Sequence, residues 1–171
     1  MDAQKIPGNT SPAILFQETQ QFRQWWLWLL FLAAEVFFVY LLIQQLAFHK
    51  PVGNKPASNG LLILLFLLTS AFVYLLYRTR LDTKIDTEGI AWRWQPFQRK
   101  YRKIVWKDIA EATVVKYFPL GYGWHLSLRY GEVYNTGGNR GLLLTFSNKR
   151  KLLIGTRRPD EISALLRQII K

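Results

Sequence analysis

The segment WWLWLLFLAAEVFFVYLLIQQLAF, Trp25 to Phe48, runs for 24 residues with one formal charge, that of Glu35. As a helix it extends roughly 36 Å at about 1.5 Å per residue, enough to cross the hydrocarbon of a bilayer. A second run, LLILLFLLTSAFVYLLY from Leu61 to Tyr77, holds 17 residues without a charge. The segment between them, HKPVGNKPASNG, is too polar for lipid and too short for a domain. The pair predicts an antiparallel transmembrane hairpin with spans 25–48 and 61–77. A cleaved signal peptide does not fit, since the first apolar core is too long and no small-residue cleavage pattern follows it.

Lys and Arg set the expected orientation. Only Lys50 and Lys55 lie in the hairpin loop, whereas Arg23 precedes the first span and Arg78, Arg80 and Lys84 follow the second. The positive-inside rule then puts both termini in the cytoplasm. Trp25, Trp26 and Trp28, with Tyr74 and Tyr77, fit an aromatic belt at that same interface. Of the net charge of +12, residues 78–171 carry +11. The absence of cysteine excludes disulfides, thiolate nucleophiles and Cys-based zinc or iron–sulfur sites.

Beyond the second span the apolar pattern changes from continuous to alternating, the signature of strands. In LDTKIDTEGIAWRWQPF, Glu88 and Gly89 separate two alternating stretches and predict a hairpin. A strand ending near Trp106, a turn at Lys107 and Asp108, and a strand through Val114, Val115 and Tyr117 come next. Further strands are expected at WHLSLRY, at LLLTFS from Leu142 and at KLLIGT from Lys151, the last two joined at Asn148 and Lys149. Ile162, Leu165, Leu166, Ile169 and Ile170 line one face of a terminal helix over 159–170. Pro159 suits its first position, and Asp160 and Glu161 complement its dipole. Residues 1–24 read as a flexible cytoplasmic tail, and Tyr130 to Gly141 as a long connection able to serve as a recognition loop.

Two N-terminal membrane helices followed by IDTEGIAWRW, KIVWKDI and RGLLLTFSNKRKLLIGTRRPDEI, with a closing helix, resemble the bacterial pleckstrin-homology-like (PH-like) membrane proteins. The resemblance implies an α+β membrane protein of the bacterial cytoplasmic (inner) membrane. Its transmembrane hairpin (25–77) precedes a cytoplasmic domain (78–171), a bent antiparallel sheet or small barrel capped by the C-terminal helix. It also implies a binding or scaffolding role. Lipid-binding eukaryotic members of the fold hold a phosphoinositide head group in a long basic loop between the first two strands. Here the corresponding turn, DTEG, is short and acidic, so that pocket does not carry over.

Glu35 is the costliest residue in the apolar runs, at about 2.5 to 3.5 kcal/mol for an acid at mid-helix. At about 1.5 Å per residue it lies roughly 15 Å deep, and Thr69 and Ser70 roughly 10 to 12 Å. Its side chain tilts toward the helix N-terminus, hence toward their depth. Glu35, Thr69 and Ser70 are therefore the expected intramembrane polar contact, within the hairpin or with another subunit. His49 and His125 have no metal-ligand spacing, and Gly121, Tyr122 and Gly123 make no nucleotide fingerprint. Nothing points to a cofactor, a metal, a small-molecule substrate or an enzymatic reaction.

The basic side chains form two clusters, Arg99, Lys100, Arg102 and Lys103 in the first, and Lys149, Arg150, Lys151, Arg157 and Arg158 in the second. Nucleic acid could use such a surface, but a domain tethered to a membrane meets anionic headgroups or an acidic protein first. The expectation is a non-enzymatic, membrane-anchored interaction module, a subunit or assembly factor of a larger inner-membrane complex. Its partners would be membrane lipid and another membrane protein, with no nucleic acid. The alternative is a sensor or binder of the anionic lipid surface.

Overall fold

The computed structural model describes residues 12–118 and 121–169. The chain divides into two units, residues 21–80 and the remainder.

The first unit contains the two apolar runs. Helix α1 spans Trp25–Leu42 and continues through a π-helical turn at Ile43–Ala47, and helix α2 spans Asn59–Arg78. Both are long and apolar enough to cross a membrane. Their mutual contact is aromatic on the side near Trp28, where that ring meets Tyr77 edge-on, and Phe31 meets Phe72 in the same way one turn on. At the loop end Gln45 Nε2 donates to Ala57 O (2.8 Å) and to Asn59 Oδ1 (2.6 Å). Ser58 caps α2, its Oγ accepting from Leu61 N.

The second unit comprises strands β1 (Ile14–Gln21), β2 (Arg80–Asp86), β3 (Gly89–Gln95), β4 (Arg102–Val105), β5 (Ile109–Lys116), β6 (Gly123–Ser127), β7 (Gly131–Asn135), β8 (Arg140–Phe146) and β9 (Lys151–Gly155), with helix α3 (Pro159–Ile169). One sheet is ordered β1-β2-β3-β4 and the other β5-β8-β9-β7-β6. Neither closes into the barrel expected. Consecutive strands β4 and β5 belong to different sheets, switching at a 3₁₀ turn over Trp106–Asp108, and β5 carries a bulge between Ile109 and Glu111. The second sheet is mixed, because β7 pairs parallel with β9.

Ile90, Trp92 and Trp94 project from one face of β3, and both indoles meet Tyr134 of β7 at ring distances of 6.2 and 6.3 Å. Register puts Tyr134, Ile154 and Leu142 on one face of the second sheet, all within the core. The opposite face has its own cluster, Tyr117, Val133 and Leu153, with Leu143 and Tyr130 packed against it. Helix α3 lies against β5 and β8, burying Ile162 and Leu166.

Two segments depart from expectation. The tail expected over residues 1–24 contains β1; residues 1–11 lie outside the described residues. β1 buries Phe16, Glu18 and Gln20 in alternation. Gln20 Nε2 donates to Gly155 O (2.6 Å), Thr156 Oγ1 donates to Glu18 Oε2 (2.7 Å), and Arg157 N donates to Glu18 Oε1 (2.9 Å). Thr87 N donates to Ala13 O near one end of β1 and Thr19 Oγ1 to Asp82 Oδ1 near the other, so β1 and β2 run in opposite directions. The hairpin is thus inserted between two neighbouring strands of one sheet. Likewise the long connection expected from Tyr130 to Gly141 contains β7, whose Val133, Tyr134 and Asn135 are buried. The last strand-to-helix step follows expectation, although Ile170 lies outside the described residues.

Glu18→Ala should therefore destabilise the sheet unit by about 1 to 3 kcal/mol, because it strands the buried Thr156 hydroxyl and the Arg157 amide. Glu18→Gln should cost less. Denaturant titration of the full chain in detergent, followed by tryptophan fluorescence, checks the order.

Candidate functional site

Polar groups with unfilled hydrogen-bonding capacity border a cavity in each unit. In the helical unit, Ser70 Oγ donates to Glu35 Oε2 at 2.9 Å. Thr69 does not take part; its hydroxyl turns back to Leu65 O (3.1 Å) and Phe66 O (2.9 Å) of its own helix, the usual alternative for a mid-helix threonine. Glu35 Oε1 is buried and meets no donor among the described residues. Glu35 and Ser70 line an open groove of about 370 Å³ together with Trp28, Val73, Tyr74 and Tyr77. Trp28 Nε1 is already committed to Phe22 O (3.0 Å).

The sheet unit has a larger cavity, about 640 Å³, where β4, the β6–β7 turn and the β8–β9 turn converge. It brings together the two basic clusters in part. Arg102 and Lys103 come from the first, and Lys149, Arg150 and Lys151 from the second, with Glu132 the one acid in the lining. Arg99, Lys100, Arg157 and Arg158 do not line it. Arg158 instead forms a bidentate pair with Glu161, donates to Gln17 O (3.0 Å) and lies over the Phe16 ring.

The five converging cations differ in how far they are already neutralised. Lys103 pairs with Asp86 (3.0 Å) and Glu88 (2.7 Å). Arg102 donates to Tyr134 Oη (3.1 Å) and lies 3.5 Å from Glu132. Arg150 stacks over Phe146. Among the described residues no acid pairs with Lys149, Arg150 or Lys151. Lys149 has φ 63°, in the left-handed region that favours Gly and Asn, and it closes the β8–β9 turn, in which Arg150 N donates to Asn148 Oδ1. Gly131 has φ 69°, and a Cβ there would stand 2.0 Å from Lys151 O, so only glycine lets β7 start this close to β9.

The cavity wall includes Trp92, which is 4% exposed and whose buried Nε1–H has no acceptor among the described residues. At the mouth, Leu126 is 72% exposed and Leu128 fully exposed. Sequence clustering pointed to the cations; Trp92 and the leucines carry no signal in sequence, since alternation alone assigns Trp92 to the core. His125 sits mid-strand on β6 opposite Val133.

The DTEG turn is self-contained. Asp86 Oδ1 accepts from the backbone N–H of Glu88 and of Gly89, both at 2.8 Å. Burial would raise the Asp86 carboxyl, but the Lys103 ammonium and these two amides outweigh it and hold it below its ordinary value of 3.8. A depressed carboxylate stabilises the fold above its unfolded value, and that stability is lost as pH falls through the lower native value. Asp86→Asn, which keeps the Oδ1 acceptor, should flatten this loss. Between about pH 5 and pH 3 the wild type should lose stability faster than the variant in acid-unfolding titrations.

No protein-family model, curated protein or solved structure matches the chain.

Proposed function

We propose that this chain is a non-enzymatic, membrane-anchored interaction module, an accessory subunit or assembly factor that contacts another membrane protein through its helical hairpin. The observation that carries the reading is Glu35, which lines a groove between two apolar helices and whose buried Oε1 has no donor among the described residues. In hydrocarbon such an atom gains from a donor on a further helix.

Membrane insertion is supported by the physical state of α1. It is apolar all round yet has no buried residue, a condition that suits lipid rather than water. Strand pairing supports a hairpin rather than a single crossing. β1 ends at Gln21 and β2 begins at Arg80, and the two are neighbours in one sheet, so both flanks of the insertion belong on one side. The distribution of Lys and Arg makes that side cytoplasmic. The resemblance of the sequence to PH-like membrane proteins carries with it a bacterial inner membrane.

A photocrosslinking side chain at Tyr74, in the groove, should give a discrete membrane-protein adduct in native membranes. The same group at Leu64, exposed on α2 but outside the groove lining, should not. Glu35→Leu should lower the Tyr74 adduct severalfold and Glu35→Gln should retain most of it. Equal labelling from both positions, or an adduct indifferent to Glu35→Leu, would sink the reading.

A further inference from the structure

We infer that the basic cavity of the sheet unit is a binding site for the phosphate of an anionic phospholipid. Three independent features converge on it. Lys149, Arg150 and Lys151 bring three cations that no acid pairs with among the described residues, beside Arg102 and Lys103, which are already paired, Arg102 with Glu132 and Lys103 with Asp86 and Glu88. A tetrahedral anion with several acceptor oxygens suits such a set better than a single carboxylate does. Trp92 lines the wall, and its indole N–H is buried with no acceptor among the described residues. A buried donor without a partner is costly, and a shift of the ring that brings it to a ligand oxygen removes that cost. Leu126 and Leu128 stand exposed at the mouth, beside the cations, and an acyl chain or glycerol ester would cover them.

Lys149 adds a fourth indication. A lysine at a left-handed turn position takes a conformation that Gly or Asn adopts at lower cost, which fits a side chain retained for its charge. The DTEG turn adjoins the site through Lys103, which its Asp86 and Glu88 hold, and the cations that no acid pairs with lie on the β8–β9 side. Short connections favour a lipid over a diffusing phosphate. Three residues (22–24) join β1 to α1 and one (79) joins α2 to β2, so a unit anchored by these helices remains within reach of headgroups. The site uses no residue of the hairpin groove, and either can fail without the other.

The test uses the full chain in an uncharged detergent with ¹⁵N-labelled tryptophan, the Trp92 indole resonance being assigned by its loss in Trp92→Phe. Dihexanoyl phosphatidylglycerol should move that resonance saturably, and dihexanoyl phosphatidylcholine at equal concentration should not. Combining Lys149→Asn, which tolerates the left-handed turn, with Lys151→Gln should weaken phosphatidylglycerol binding about 30-fold, at roughly fivefold per cation. A Trp92 resonance that stays put, an equal response to the two lipids, or an unaltered affinity in the double variant would overturn the site. Inorganic phosphate binding as tightly as phosphatidylglycerol would overturn the lipid as its occupant.

Discussion

The sheet unit depends on a polar seam between its first strand and its last. Glu18 and Gln20 of β1 reach Gly155, Thr156 and Arg157 across 135 to 139 residues of sequence. Thr136 Oγ1 adds a long hydrogen bond to Gln20 Oε1 (3.4 Å). Each partner is buried except Arg157, which is exposed and takes part through its backbone N–H, and a buried network of this kind rigidifies when every member is satisfied and is costly when one is not. Through the seam, chain that precedes the apolar hairpin becomes part of the unit that follows it. The consequence reaches the helices: because β1 and β2 are neighbours, the insertion between them leaves and rejoins the same sheet.

What could be read from sequence follows the chemistry of each buried position. The α3 face, β3 and the β8–β9 hairpin were legible because their buried residues are mostly apolar at regular spacing, as in Leu142, Leu144, Leu152 and Ile154. β1 was not, since two of its three buried residues are Glu18 and Gln20, and polar side chains at alternating positions look like a solvated tail. β7 was hidden by its surroundings, where Tyr134, Asn135 and Thr136 are buried in a stretch rich in Gly and Asn. Its parallel pairing with β9 is a long-range outcome with no local signature, and so is the division into two sheets.

Charge was legible as a total and not as a set of roles. Arg93 is bound to Asp82 through Nε (3.0 Å) and Nη2 (2.5 Å), Lys103 to Asp86 and Glu88, and Arg158 to Glu161. These cations hold the fold. Lys149, Arg150 and Lys151 occupy the same kind of basic run in the sequence, yet no acid faces them among the described residues. The difference arises from which strands come together, so the number of cations in a cluster does not indicate how much charge remains for a ligand.

The unfilled polar atoms sharpen that distinction. Thr83 has a buried hydroxyl without a partner among the described residues, but a hydroxyl can rotate, and Thr83 lines neither of the cavities described. Glu35 and Trp92 do line them, each with one such buried atom. They ask for opposite things. Glu35, between apolar helices, lacks a donor; Trp92, beside unpaired cations, lacks an acceptor. On the two proposals the units meet different classes of partner, one presenting a donor to Glu35 and the other an anion to the basic cavity.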